Sequence, residues 1–177
     1  GRGYGGPRDA SNIERVEVLK GPNGAVFGRG EPGGTVNIIT KKAKTGDSFG
    51  SFTVSAGSFD TYRGEGDANI ALSDKIAFRI NGAIESSNGF RDHVDLEKYV
   101  ATPSVLFEIS DKTTLTYELE YVNLKVPFDR GIVAINGKLG QLPRDRFLGE
   151  PGDGPTKVDV LGHQVQLQQE LGGNEWV

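Results

Sequence analysis

From Ser48 onward, apolar and polar residues alternate with a period of two. Residues 50–58 set Phe52, Val54 and Ala56 against Ser51, Thr53 and Ser55. Residues 62–72 set Tyr62, Gly64, Gly66, Ala68, Ile70 and Leu72 against Arg63, Glu65, Asp67 and Asn69. Residues 76–85 oppose Ile76, Phe78, Ile80, Gly82 and Ile84 to Arg79, Asn81 and Glu85. Residues 99–109 oppose Tyr99, Ala101, Pro103, Val105, Phe107 and Ile109 to Thr102, Ser104 and Glu108, with Leu106 out of phase. Residues 115–121 oppose Leu115, Tyr117, Leu119 and Tyr121 to Thr116, Glu118 and Glu120. Residues 163–171 oppose Val165, Leu167 and Leu171 to Gln164, Gln166, Gln168 and Glu170, and Gln169 breaks the pattern. Alternation puts successive side chains on opposite faces of a strand, so six consecutive segments of this kind predict six strands. Each is about 9–11 residues, the length a tilted strand needs to cross a bilayer.

The connections add a second pattern. Ser73-Asp74-Lys75, Ser110-Asp111-Lys112 and Gly172-Gly173-Asn174-Glu175 read as tight turns, whereas 86–97 and the Pro/Gly-rich 123–160 are long. Tight turns on one side and long loops on the other is the asymmetry of a membrane barrel; only the short link Ser58 to Thr61 departs from it. A soluble sandwich would pack the apolar faces against a second sheet. Here those faces are rich in Gly and Ala, which fill a core poorly, and Tyr62, Tyr99 and Tyr121 stand at their long-loop ends. That is the place of an aromatic girdle.

Before Ser48 the pattern is less regular. Ile13, Val16 and Val18 alternate imperfectly with Glu14, Arg15, Glu17 and Lys20, and predict a short strand. Gly21-Pro22-Asn23-Gly24 predicts a turn, Ala25-Val26-Phe27 a brief helical turn, and 28–34 a glycine-rich loop. Thr35 to Thr40 is β-branched and predicts a second strand, followed by a polar linker from Lys41 to Gly46.

Composition narrows the possibilities. Only 36% of residues are hydrophobic while 25% are charged and 26 are glycine, so the chain either stays disordered or forms strands that need little core of their own. No apolar run approaches the ~18 residues of a transmembrane helix, so a membrane reading requires strands. A net charge of −4, without clustered basic and aromatic residues, excludes a general nucleic-acid surface. Cysteine is absent, which removes disulfide and thiolate chemistry. Methionine is absent too, and the reading expects both termini to be cuts in a longer protein.

Candidate chemistry is sparse. Gly28-Arg29-Gly30-Glu31-Pro32-Gly33 has the spacing of a dinucleotide loop, but a strand follows where a helix is required. His93 and His163 lie apart without partners at metal spacing and read as loop or lumen residues. Asp153 and Asp159 fall in the long link and make a poor calcium site. Glu118 and Glu120 read as wall charges of a wet lumen rather than an acid–base pair. No catalytic grouping, metal site or cofactor is expected.

Residues 13–41 are more specific. Ile13-Glu14-Arg15-Val16-Glu17-Val18-Leu19-Lys20-Gly21-Pro22, then Phe27-Gly28, then Pro32-Gly33-Gly34-Thr35-Val36-Asn37-Ile38-Ile39-Thr40-Lys41, resemble the plug signature of TonB-dependent receptors. Leu142-Pro143-Arg144-Asp145-Arg146-Phe147-Leu148-Gly149-Glu150-Pro151 resembles an extracellular-loop motif of their ferric-siderophore branch. The resemblance implies an all-β membrane protein: a transmembrane antiparallel β-barrel of about 22 strands closed by an N-terminal plug. Residues 1–46 would be the C-terminal part of the plug, and 47–177 the first six barrel strands with the start of a seventh.

Its implied partners are a ferric siderophore, outer-membrane lipid and the TonB energy-transducing complex, whose contacting segment would precede Gly1. Phe27, Gly28 and Arg29 would face the ligand at a plug apex, Arg29 alternatively pairing with a wall carboxylate. Arg15, Glu17 and Lys20 would form plug-to-wall ion pairs. Receptors of the same architecture for a saccharide, haem or cobalamin remain an alternative, as does a soluble β-rich binding module.

Overall fold

A computed structural model of the chain describes residues 9–21 and 34–171, and they form two separate antiparallel sheets. The first is a hairpin of β1 (Ile13–Lys20) and β2 (Gly34–Thr40), preceded by a single 3-10 turn, Ala10–Asn12. The register slips between Ile13 and Arg15, which accounts for the imperfect alternation at the start of β1. The second sheet holds six strands in chain order: β3 (Phe49–Gly57), β4 (Thr61–Ser73), β5 (Ile76–Ser87), β6 (Leu96–Ser110), β7 (Thr113–Val126) and β8 (Thr156–Gln169). Every neighbour pair is antiparallel, so the sheet is one continuous up-and-down wall, open at β3 and β8.

The wall is inside-out by the standard of a water-soluble sheet. Its apolar face is bare: Phe52 is 76% exposed, Ile84 60% and Val165 67%. Its polar face is covered: Asn69, Asn81 and Ser104 are each 1% exposed, and Arg79 is buried with them. A face of exposed Ile, Leu, Val and Phe this large needs an apolar covering. On that face the Phe52 ring lies beside Gly64 and Gly66 and covers backbone that has no side chain of its own. Gly82 is required for another reason: a Cβ there would sit 2.4 Å from the Val100 carbonyl oxygen.

The turns repeat. At both two-residue links a serine side chain accepts from the lysine amide two residues on, Ser73 Oγ from Lys75 N–H at 3.2 Å and Ser110 Oγ from Lys112 N–H at 3.3 Å. The opposite end carries the links 58–60, 88–95 and 127–155. The last two are shorter than the sequence suggests, because β6 starts at Leu96, β7 runs on to Val126 and β8 begins at Thr156. Above the apolar band the ladder continues between polar residues: Lys125 Nζ lies 3.0 Å from Glu97, and Asn123 donates to Asp159. Backbone pairing needs no alternation there, so hydrophobic patterning underestimates the strands. Strand lengths accordingly run from 9 to 15 residues.

Three further expectations change. Asp159 is a strand residue of β8, not part of a loop. His163 is also on β8 and, with Leu161 and Val165, on the outward face rather than in the lumen; its Nδ1 meets the Tyr117 hydroxyl at 2.8 Å. A hydroxyl partner satisfies the ring and lets a histidine sit among apolar neighbours. Asn81 does point inward but not into open water, being buried with its side chain bonded to Thr102 Oγ and the Thr102 carbonyl. The turn expected at Ala25–Phe27 and the one at Gly172–Glu175 lie outside the described residues.

Ile80 pairs with Ala68 and Pro103 in the middle of the outward face. Ile80→Arg should destabilise the protein by roughly 2–4 kcal/mol when refolded into lipid vesicles, the cost of a guanidinium near a bilayer midplane. Urea unfolding measures it. A loss below ~0.5 kcal/mol would mean that lipid does not cover this face.

Candidate functional site

The buried polar face is where chemistry is concentrated, and what covers it is the segment before β1 together with the linker after β2. Contacts fall into rows set by strand register. One row, Arg63–Glu85–Lys98, crosses β4, β5 and β6 at the long-loop end. It holds Asp9. Arg63 grips the carboxylate with both terminal nitrogens, at 2.7 Å to Oδ1 and 3.1 Å to Oδ2, and Lys98 Nζ reaches Oδ2 at 2.6 Å. The Ser11 amide donates to Oδ1 at 2.8 Å, which also caps the 3-10 turn. Glu65 and Glu85 share the remaining Arg63 donors. Burial alone would push the Asp9 carboxyl up, but the hydrogen bonds from Arg63, Lys98 and Ser11 outweigh it and hold it well below the usual carboxylate range.

A second row, Asn69–Arg79–Ser104–Glu118, crosses β4 to β7 six residues further along β4, about 20 Å away at the rise of a strand. It binds the linker. Asn69 accepts from the Lys44 amide at 3.0 Å and donates to the carbonyls of Lys44 (2.9 Å) and Asp47 (2.6 Å). Ser104 Oγ accepts from the Ala43 amide at 2.9 Å, and Arg79 donates to the Lys42 carbonyl at 3.0 Å. Glu118 takes Lys42 Nζ at 3.0 Å and the Thr40 hydroxyl at 3.1 Å. Between the rows, Arg79 pairs with Asp67 through two bonds of 2.8 and 2.9 Å, Lys41 adds a third cationic contact to Asp67, and Glu14 bridges Arg79 and Lys44. The bond from Lys44, with Arg79 behind it, holds the Glu14 carboxyl below its ordinary value.

Arg15, Glu17 and Lys20 do not make the wall contacts expected of them. Arg15 and Glu17 pair with each other at 2.8 Å along exposed β1, Glu17 also takes Asn37, and Lys20 has no acidic partner among the described residues. The charged side chains that reach the wall are those of Asp9, Glu14, Lys41 and Lys42. Their sequence signal was the dense polar run Arg63, Glu65, Asp67, Asn69 on one face of a single strand, more charge than a water-filled wall requires. Phe27, Gly28 and Arg29 lie outside the described residues; the stretch containing them joins the Lys20 and Gly34 ends of the hairpin, which pair with each other.

At the long-loop end the links 88–95 and 127–155 pack together. The Asp92 amide donates to the Asp145 carbonyl at 2.9 Å, Arg91 pairs with Asp129, and Phe147 meets the His93 ring edge-on. Beside them an open cleft of about 500 Å³ is lined by His93, Glu97, Lys125, Phe147, Glu150 and Lys157, and its strand residues share the parity of the outward face.

An open strand wall with a bare apolar outside, a charged inside and a hairpin segment clasped within it defines a plugged outer-membrane barrel. The comparisons agree. Residues 1–35 match the TonB-dependent Receptor Plug Domain. The chain is 46% identical to the metal-pseudopaline receptor CntO of Pseudomonas aeruginosa UCBPP-PA14 across 99% of its length and 25% of that protein. It is 36% identical to the catecholate siderophore receptor Fiu of Escherichia coli K12 across 72% of its length and 17% of that protein. Among solved structures it superposes on the siderophore receptor PiuA from Acinetobacter baumannii with a TM-score of 0.81 and 25% identity, over 94% of this chain and 25% of that one. The chain belongs to the TonB-dependent receptor family, proteins of the outer membrane that act as receptors and not as enzymes. It spans about a quarter of the length of the curated receptors it matches best in coverage.

Asp9 gives a test with a definite sign. Its folded pKa lies below the unfolded one, so its contribution is complete above the ordinary carboxyl range near ~4 and fades only as pH falls toward the folded value. Protection of residues 9–20 against hydrogen exchange in the full-length receptor should therefore be equal at pH 7 and pH 5 once intrinsic rates are corrected. Asp9→Ala should lower it at both by on the order of 2–3 kcal/mol, the cost of unpairing buried charge. A loss of protection in the wild type at pH 5 would show that the clasp titrates.

Proposed function

We propose that the full-length protein takes up a metal chelate of the siderophore type across the outer membrane, energised through the TonB complex. Ferric siderophores are the favoured substrate class. The observation that carries this is the dense similarity to siderophore and metallophore receptors through both the clasped hairpin and the wall. CntO is named for a metal–pseudopaline complex and Fiu for catecholate siderophores, so the bound metal need not be iron in every relative. In this reading residues 1–46 are the end of the plug and 47–177 the first barrel strands. Turns at Asp74 and Asp111 face the periplasm, and 88–95 and 127–155 face the medium. The transported chelate is cargo, and the carriage itself breaks no bond.

In this reading Phe27, Gly28 and Arg29 meet the ligand. An aromatic surface and a guanidinium suit a bulky, anionic chelate.

Uptake of radiolabelled metal should depend on the full-length gene and on an intact TonB system. A panel of ferric hydroxamates and catecholates, and of nickel, cobalt and zinc chelates, identifies the class. Uptake of haem, cobalamin or a saccharide instead would replace it. Arg29→Ala should weaken binding of the identified chelate about tenfold, the loss of one charge-assisted contact, with thermal unfolding unchanged. Full affinity in that variant would return Arg29 to pairing with the wall. For orientation, a single cysteine at Gly137 should label on intact cells and one at Asp74 should not; the reverse pattern would invert the barrel.

A further inference from the structure

The wall holds the hairpin segment in two chemically different ways, and we infer that the second is a fixed tether that stops plug extraction at residue 41. The inference rests on the plug-and-barrel reading above. At the Arg63–Glu85–Lys98 row every bond to Asp9 from the wall is an ion pair between side chains. At the Asn69–Arg79–Ser104 row the wall side chains bond the linker backbone: the amides of Ala43 and Lys44 and the carbonyls of Lys42, Lys44 and Asp47. Together they make five wall-to-backbone bonds over six consecutive residues.

Three features make this row hard to open. Its side chains are among the most deeply covered of the wall, Asn69 and Ser104 at 1% exposed and Arg79 at 3%. Ala43 is itself 4% exposed, so the linker seals what it binds. Asn69 uses its amide as both donor and acceptor toward Lys44, the reciprocal pattern of a strand pair supplied by one side chain. Pulling residues 42–47 away would orphan several buried polar groups at once, each costly to leave unpaired. The Asp9 clasp lies about 20 Å away along the strand, so the two rows open as separate events.

A force applied on the N-terminal side of Asp9 meets the ionic clasp first, then the β1–β2 hairpin, then the tether. The wall partners in the clasp, Arg63 and Lys98, are 20% and 15% exposed, more open to water than Arg79 at 3%. The tether lies next to the covalent entry into β3 and is loaded last. Asn69, Arg79 and Ser104 therefore set how much chain an energy-transducing partner draws out of the lumen.

Single-molecule pulling on the full-length receptor in lipid, gripped ahead of Gly1, tests this. A band that runs compactly on gels until heated confirms first that the barrel is formed, so failure of the barrel reading is seen separately. The wild type should arrest with the chain extended to residue 41 and release 42–47 in a distinct step at higher force. Asn69→Ala/Ser104→Ala should merge that step into the first extension, lengthening it by about 2 nm, the extended length of residues 42–47. A wild type that passes residue 47 without arrest, or a double variant that arrests as before, overturns the tether. Should the double variant fail to form a barrel, Ser104→Ala alone serves: exchange of the Ala43 amide should accelerate at least tenfold while β4–β6 amides are unchanged. Unaltered exchange at Ala43 would equally overturn it.

Discussion

The structure depends on satisfying a charged wall out of contact with bulk water. The outward faces of β3–β8 expose Phe, Ile, Leu and Val, so along the apolar band most polar side chains of the six strands lie on the other side. That side cannot be closed by apolar packing. Arg63, Asp67, Asn69, Arg79, Lys98 and Ser104 each need partners of opposite charge or matching hydrogen-bonding sense. Asp9, Glu14, Lys41 and the backbone of 42–47 supply them. The position of the hairpin segment is therefore dictated by polar complementarity, and its own hydrophobicity has little part in it.

Such complementarity specifies position more than it adds stability. A buried ion pair recovers little beyond its desolvation cost, yet a misplaced one leaves charge stranded, so alternative seatings of the segment are strongly disfavoured. Asp9 illustrates the point. Two cations and a backbone amide converge on one carboxylate, and no neighbouring residue of the segment offers an equivalent group one or two positions away: Ala10, Ser11 and Asn12 carry no charge. A slip by one residue would strand Arg63 and Lys98 together. The second row fixes the linker after β2 mainly through its backbone groups, with the Lys42–Glu118 pair beside them, so salt that screens charges would touch the first anchor more than the second.

Much of this was legible in the sequence, and the reasons for the rest are physical. Period-two alternation located all six wall strands because a lipid-facing side chain has no tolerated polar substitute near the membrane centre. It failed at the strand ends, where Glu97, Lys125 and Asp159 extend the ladder in a region that lipid no longer constrains. It placed His163 by residue type rather than by parity: counting from Val165 puts it on the outer face, and the Tyr117 hydroxyl explains how that face accepts it. Arg15 and Glu17 looked like wall partners because they are charged, but they sit two apart on one strand and neutralise each other. The true contacts come from residues whose partners are more than twenty positions away in sequence, Lys44 with Asn69 as well as Asp9 with Arg63 or Lys42 with Glu118, and no local pattern encodes such pairing.

The same division between anchored and free chain recurs at the mouth. The link 127–155 is the longest in the described residues, yet its second half is fixed: Asp145 receives the Asp92 amide, Phe147 leans on His93, and Glu150 accepts from Gly152 N–H at the 3-10 turn Pro151–Asp153. Its first half begins equally fixed, with the Asp129 carboxylate holding both Arg91 and the Gly131 amide. Only the middle stands clear, a two-residue turn at Asn136-Gly137, both with positive φ, closed by the Ile135–Lys138 bridge. A link tied at both ends to 88–95 is joined through it to β5 and β6, the strands that carry Glu85, Lys98, Arg79 and Ser104. Contact made at the mouth is thereby joined through two rigid strands to both rows that hold the inner segment. The connection is one of shared backbone, and it requires no rearrangement of the wall between them.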